Sequence, residues 1–109
     1  MRALADGRTA LRPPPSLKKL RARRQEILTI CAQHGAGNVR VFGSVARGEQ
    51  DADSDLDLLV DFAPGASLFT WGGLIGALED LLGCAVDVAE PPSLKERLRP
   101  RVLAEAVSL

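Results

Sequence analysis

From Val39 to Phe62 the chain reads VRVFGSVARGEQDADSDLDLLVDF, and this stretch leaves few folds open. Asn38 to Phe42 reads as a strand that Gly43 breaks. Ser44 to Arg47 fits one short helical turn closed by Gly48, and residues 49–54 form a polar loop. Leu56 to Phe62 is a second strand, and the short link makes it antiparallel to the first or a near neighbour of it. Side chains on a strand repeat every two residues, so Asp55 and Asp57 project from one face. The remainder of the chain has to hold this hairpin rigid.

The flanking segments supply the means. Ser16 can cap a helix running to about Gln33, with Leu20, Ile27, Leu28 and Cys31 at helical spacing and His34-Gly35 at its end. A second long helix spans about Ser67 to Leu82. Its stripe of Trp71, Leu74, Ile75, Leu78, Leu81 and Leu82 is apolar, and Gly72, Gly73 and Gly76 leave it dependent on tertiary packing. Trp71 reads as core or interface rather than as a platform for a base. Cys84 to Ala89 is a third strand, stopped by Pro91-Pro92. Ser93 and Glu96 fit a capping box for a last helix that Pro100 kinks or restarts and that ends near Ala106. The expected fold is α+β: a small mixed or antiparallel sheet of three or more strands, flanked by helices in two layers.

Charge is segregated along the chain although the formal net charge is zero. Residues 1–24 hold eight of the 14 Lys and Arg and one acid, whereas 25–90 hold 11 of the 14 acids and two bases. That pattern suits a cation site at the centre better than a polyanion groove, so no direct nucleic-acid binding is expected. Residues 1–15 lack periodicity and read as a flexible basic tail ending in a proline triplet, with the folded domain over 16–109. Two cysteines, Cys31 and Cys84, are too few for a disulfide scaffold and read as buried free thiols. No apolar run approaches a membrane span, and no signal core is visible. A cytoplasmic protein with no membrane partner is the expectation.

Two carboxylates as close as Asp55 and Asp57 repel unless a cation neutralises them. Mg²⁺ suits them, because it takes one or two carboxylates and completes its shell with water and phosphate. Gly43 lets backbone approach closely, and Ser44 opens a helix whose free N–H groups favour an anion. Together these features suit a nucleoside triphosphate held by its β and γ phosphates, with the α-phosphorus beside the metals. Arg47 either adds bonds to phosphate or pairs with Asp51 or Asp53. Asp87 interrupts an apolar strand, and an isolated Asp in a buried strand is costly unless paired or metal-bound. It is the third candidate ligand in a site with two ions, on the side of the attacking hydroxyl.

Gly43-Ser44, ten intervening residues, Asp55-Leu56-Asp57 and then Asp87 resemble the pattern of the DNA polymerase β-like nucleotidyltransferase superfamily. The phrases VRVFGSVARGE, SDLDLLVDF, VDV and VLAEAVSL are similar to its minimal nucleotidyltransferases, over roughly residues 17–109. The Gly-rich segment at Trp71 and the basic N-terminal extension depart from that group. The resemblance implies the polymerase β-like fold, with Asp55, Asp57 and Asp87 as catalytic metal ligands and Gly43, Ser44 and Arg47 at the nucleotide. It further implies an antitoxin that uses ATP and two Mg²⁺ ions to transfer AMP to a tyrosine of a HEPN-type toxin. The chain contains no Tyr, so such an acceptor lies on another protein, and a homo- or hetero-oligomer follows. The alternatives are an antitoxin that works by occlusion and a transferase acting on a small molecule of the aminoglycoside kind.

Overall fold

A computed structural model describes residues 12–109. Most of the expected tail therefore lies outside the described residues. Its last part is docked rather than free. The Arg12 N–H donates to the Gly83 carbonyl at 2.8 Å, Arg12 bridges Cys84 in parallel, and Pro14 is buried. An extended proline run cannot join a helix, but it can lie against one.

The helix expected over 16–33 is two, α1 (Leu17–Ala22) and α2 (Arg24–Gln33). Ser16 caps α1 as its position suggests, accepting from the Lys19 N–H at 3.2 Å. At the break, Arg23 turns its guanidinium to both carboxylate oxygens of Glu26, at 3.0 and 3.1 Å, and to the Leu81 carbonyl at 3.1 Å. The first strand, β1 (Ala36–Phe42), starts two residues earlier than its sequence signal. Asn38 there has φ 49° and the register shifts between Gly37 and Arg40, an irregularity that masks the alternation.

After β1 come α3 (Gly43–Arg47), β2 (Leu56–Phe62), α4 (Leu68–Leu82) and β3 (Val86–Ala89). A 3-10 turn at Pro91–Ser93, α5 (Arg99–Glu105) and the short β4 (Val107–Ser108) complete the chain. The capping box sits one step earlier than expected. Ser93 pairs with Glu90 around the 3-10 turn, not with Glu96, because Pro91 and Pro92 already set the first turn there. Pro100 lies in the first turn of α5 and so starts that helix.

The sheet runs β3-β2-β1-β4. β1 is antiparallel to β2 and to β4, while β2 and β3 are parallel, so the sheet is mixed. Leu56, Leu58 and Val60 of β2, Val39 and Val41 of β1, and Val86 and Val88 of β3 pack as one core with Leu20, Ile27 and Cys31 and with Leu74 and Leu78 of α4. Each such side chain contributes about 1.5–3 kcal/mol on burial. The α+β expectation holds, with helices layered on a small mixed sheet. Alternation sends Asp57, Asp87 and Phe42 to the face away from this core. Among the described residues no helix is long and apolar enough to cross a membrane.

Candidate active site

Strand register brings the candidate acids together. Phe42 pairs with Asp57 across β1 and β2, and Asp57 pairs with Asp87 across β2 and β3. One cross-strand row therefore runs Phe42, Asp57, Asp87, with neighbouring strands about 4.8 Å apart. Asp55 stands just before β2. Asp57 is half-buried, and Asp55 and Asp87 are exposed. The burial argument for Asp87 is therefore corrected: Val86 and Val88 point into the core, and Asp87 takes the open face by ordinary alternation.

Gly43 is fixed by two constraints. Its φ is +74°, a region that favours glycine, and a Cβ there would stand 2.2 Å from Oδ2 of Asp57. The turn into α3 thus lies directly against the Asp57 carboxylate. Ser44 follows on α3, and its carbonyl accepts the Glu49 N–H at 2.8 Å. Asp51 shapes the loop behind it, accepting from the Asp53 N–H at 2.9 Å and the Ser54 hydroxyl at 3.2 Å.

The electrostatics centre on Asp57. Burial raises its pKa most, the charges of Asp87 and Asp55 raise it further, Arg47 opposes them and Glu105 adds to them; the result moves from 3.8 to about 6. Burial and the neighbouring carboxylates outweigh Arg47 there.

Arg47 pairs with neither Asp51 nor Asp53. Its Nε donates to Glu49 at 2.8 Å, and its other nitrogen binds Glu105. Both are sequence neighbours or α5 contacts, whereas Asp51 is spent on its own loop. Glu105 is a fourth acid near the row that sequence reasoning missed. It stands at the end of α5, with no motif around it, and reaches the site only because α5 packs against α3.

Two side chains of α4 hold β3 in place and with it Asp87. The buried Glu79 accepts the Val86 N–H at 3.0 Å, and the Trp71 indole donates to the Val88 carbonyl at 2.8 Å. Trp71 also packs on Phe62, ring centroids 5.0 Å apart, which accounts for it as a core residue. His34, its Nδ1 2.9 Å from the Ile30 carbonyl, stays at its helix end. Cys31 and Cys84 are buried thiols pushed to about 11, chiefly by burial.

Among the described residues no three His, Cys, Asp or Glu side chains converge into a ready cage for an ion. Mg²⁺ does not require one, since it keeps waters and shares phosphate oxygens with one or two carboxylates. A paired Asp57 and Asp87 carrying excess negative charge, with Asp55 beside them, fits such an ion.

A family model for the nucleotidyltransferase domain matches residues 24–109. A candidate protein adenylyltransferase of Methanocaldococcus jannaschii is 41% identical over 86 residues, spanning 79% of this chain and 92% of that protein. The solved structure of a candidate minimal nucleotidyltransferase superposes with a TM-score of 0.77 at 55% identity, covering 87% of this chain and 97% of the other. A toxin–antitoxin complex with AMP-PNP shares the fold, with a TM-score of 0.66 at 22% identity over 77% of this chain and 69% of that one. The acid row, the Gly43 turn and the whole mixed sheet fall inside the matched span, and the chain belongs to the nucleotidyltransferase family, among its minimal members.

Proposed function

We propose that this nucleotidyltransferase transfers AMP from ATP to a hydroxyl of a partner protein, and that the partner is a toxin which it neutralises. The observation that carries the reading is the row of Asp57 and Asp87 against the Gly43 turn. The similar protein of M. jannaschii, described as a candidate protein adenylyltransferase, supports AMP as the group transferred. The shared fold with a toxin–antitoxin complex containing AMP-PNP supports the partner class. A HEPN-type toxin and a tyrosine hydroxyl are the finer form of this proposal.

The roles follow from position. Asp55, Asp57 and Asp87 would hold Mg²⁺, two ions in the full site. Bound there, the metal would supply charge neutralisation at the α-phosphate. The Gly43-Ser44 turn presents backbone N–H groups and a hydroxyl to the β and γ phosphates. Arg47, released from Glu105, would add a bond to the same phosphates. The acceptor hydroxyl gives its proton to solvent water as its oxygen bonds to the α-phosphorus, the bond from that phosphorus to the α,β-bridging oxygen breaks, and pyrophosphate leaves. Asp87, on the exposed edge of the row, faces the incoming hydroxyl.

One observation favours a protein acceptor over a small molecule. Leu68 is 85% exposed and Phe69 93% exposed, side by side at the start of α4. Such an apolar pair suits a protein contact. The same pair would serve an antitoxin that acts by occlusion.

The test is transfer of label from α-³²P-ATP with Mg²⁺ to the product of a neighbouring toxin-like gene. Label on the toxin, lost in Asp55→Asn with Asp57→Asn while the circular dichroism is kept, supports adenylylation. Full neutralisation by that double variant would favour occlusion. Label on an aminoglycoside in place of the toxin would favour the small-molecule reading.

A further inference from the structure

A second feature shares none of its described residues with the acid row. At the end of the sheet where β2 and β3 begin, a cavity of about 560 Å³ opens between the docked proline run 13–15, α1, the loop after α3 and the end of α4. Arg12, Lys19 and Arg23 line it, together with Gln50 and Leu82, and among the described residues no carboxylate does. Its size falls in the range of small-ligand pockets.

The cations differ in what they do. Arg23 is already bound to Glu26 and to the Leu81 carbonyl. Arg12 and Lys19 form no ion pair among the described residues, and both are exposed. The Arg12 backbone is nonetheless fixed by its bond to Gly83, so its side chain starts from a set place. Lys19 sits on α1, one turn before Arg23. Gln50 supplies the independent sign. Its Oε1 is buried without a hydrogen-bond partner, a costly state that a ligand donor would relieve once the side chain rotates into the cavity it lines. Pro and Leu82 surfaces give the cavity apolar walls beside these polar groups.

We propose that this cavity is a second, metal-independent site for a mononucleotide. Arg12 and Lys19 take its phosphate, the proline run and Leu82 flank the nucleoside, and Gln50 accepts a hydrogen bond from it. A planar base against apolar walls, an N–H or O–H for Gln50 and a dianionic phosphate for two unpaired cations are the three demands of this lining, and a nucleoside monophosphate meets all three. None of Asp55, Asp57 and Asp87 is among its described lining residues, and it needs no divalent ion because its own charges are positive.

The experiment is calorimetric titration of the full chain with AMP in EDTA, which removes divalent ions from the carboxylate row. Saturable binding is expected, with equal affinity in Asp55→Asn with Asp57→Asn. It should weaken at least about 5-fold in Arg12→Ala with Lys19→Ala, two exposed positions that leave the fold intact. Gln50→Leu should also weaken AMP while holding or raising Tm, because it removes the orphaned acceptor. Adenosine should bind at least about 5-fold more weakly than AMP, as the phosphate is absent. Absence of saturable AMP binding overturns the proposal. So does loss of binding in the aspartate variant, equal binding of adenosine and AMP, or AMP binding unchanged by the Arg12 and Lys19 substitutions. A short RNA that binds while AMP does not would assign the cavity to a polynucleotide and overturn the mononucleotide site.

Discussion

Asp57 and Asp87 are the same residue in the same register on adjacent parallel strands, yet the fold treats them differently. β2 is central. Asp57 is hemmed in by the Gly43 turn, and burial together with the charges of Asp87, Asp55 and Glu105 holds its proton up to about 6. β3 is the outer strand of the described sheet, and Asp87 is exposed. Its placement is delegated to α4, through Glu79 and Trp71. The pair thus divides into a rigid, electrostatically strained member and an open one that depends on a neighbouring helix.

The largest expected effect is on activity. If the proposed metal roles hold, Asp57→Asn and Asp87→Asn should each lower transfer by about 1000-fold or more, several kcal/mol of transition-state stabilisation. Stability should then separate them. Without metal, Asp57→Asn removes a like charge from a half-buried row and should raise Tm. Asp87→Asn lies at an exposed position and should stay within about 0.5 kcal/mol. Equal thermal shifts would erase the distinction drawn between the strands.

Gly43→Ala comes next. The new methyl meets Asp57 Oδ2 at 2.2 Å and also sits at φ +74°. The strain is about 1–2 kcal/mol, and the displaced carboxylate should cost transfer about 100-fold. Steady-state kinetics should show this as a fall in kcat with Asp87 untouched.

Trp71→Phe probes the other half. It deletes the bond to the Val88 carbonyl and should cost about 1 kcal/mol in urea unfolding. Transfer should fall by about 10-fold, because a small misplacement of a catalytic group is expensive. Unchanged transfer would mean that Asp87 does not rely on α4.

The last prediction is the pH dependence of stability. In the folded chain Asp57 titrates at about 6, against 3.8 for an ordinary carboxyl. Between those values the folded state holds a proton that the unfolded state has lost. This group's contribution is therefore full below about 3.8 and is lost as pH rises through about 6. Thermal melts in EDTA should show that loss across the window in the wild-type chain, relative to Asp57→Asn.

The same contrast explains what the sequence could convey. The Gly43 turn, Asp55 and Asp57 are close along the chain, and their spacing alone implies one face and one site. Asp87 was legible as an odd acid in an apolar strand, but the inferred burial was wrong. Alternation on a short outer strand exposes it, and only pairing with β2 sets it beside Asp57. Glu105 left no local sign, since its approach depends on α5 packing on α3. β4 is two residues long and below any period that could be counted. The break at Arg23 and the box at Glu90–Ser93 were hidden for a related reason: S-x-x-E and E-x-x-S patterns overlap, and side-chain contacts across the fold decide between them.

Metal stoichiometry with a bound nucleotide tests the central claim most directly. Mn²⁺ binding, read by electron paramagnetic resonance with a non-hydrolysable ATP analogue, should give two ions per wild-type chain. Asp87→Asn should keep the nucleotide and one ion, and Asp57→Asn should hold neither ion at the same concentrations. Two ions retained in Asp87→Asn, with transfer unimpaired, would contradict the shared role of the paired aspartates.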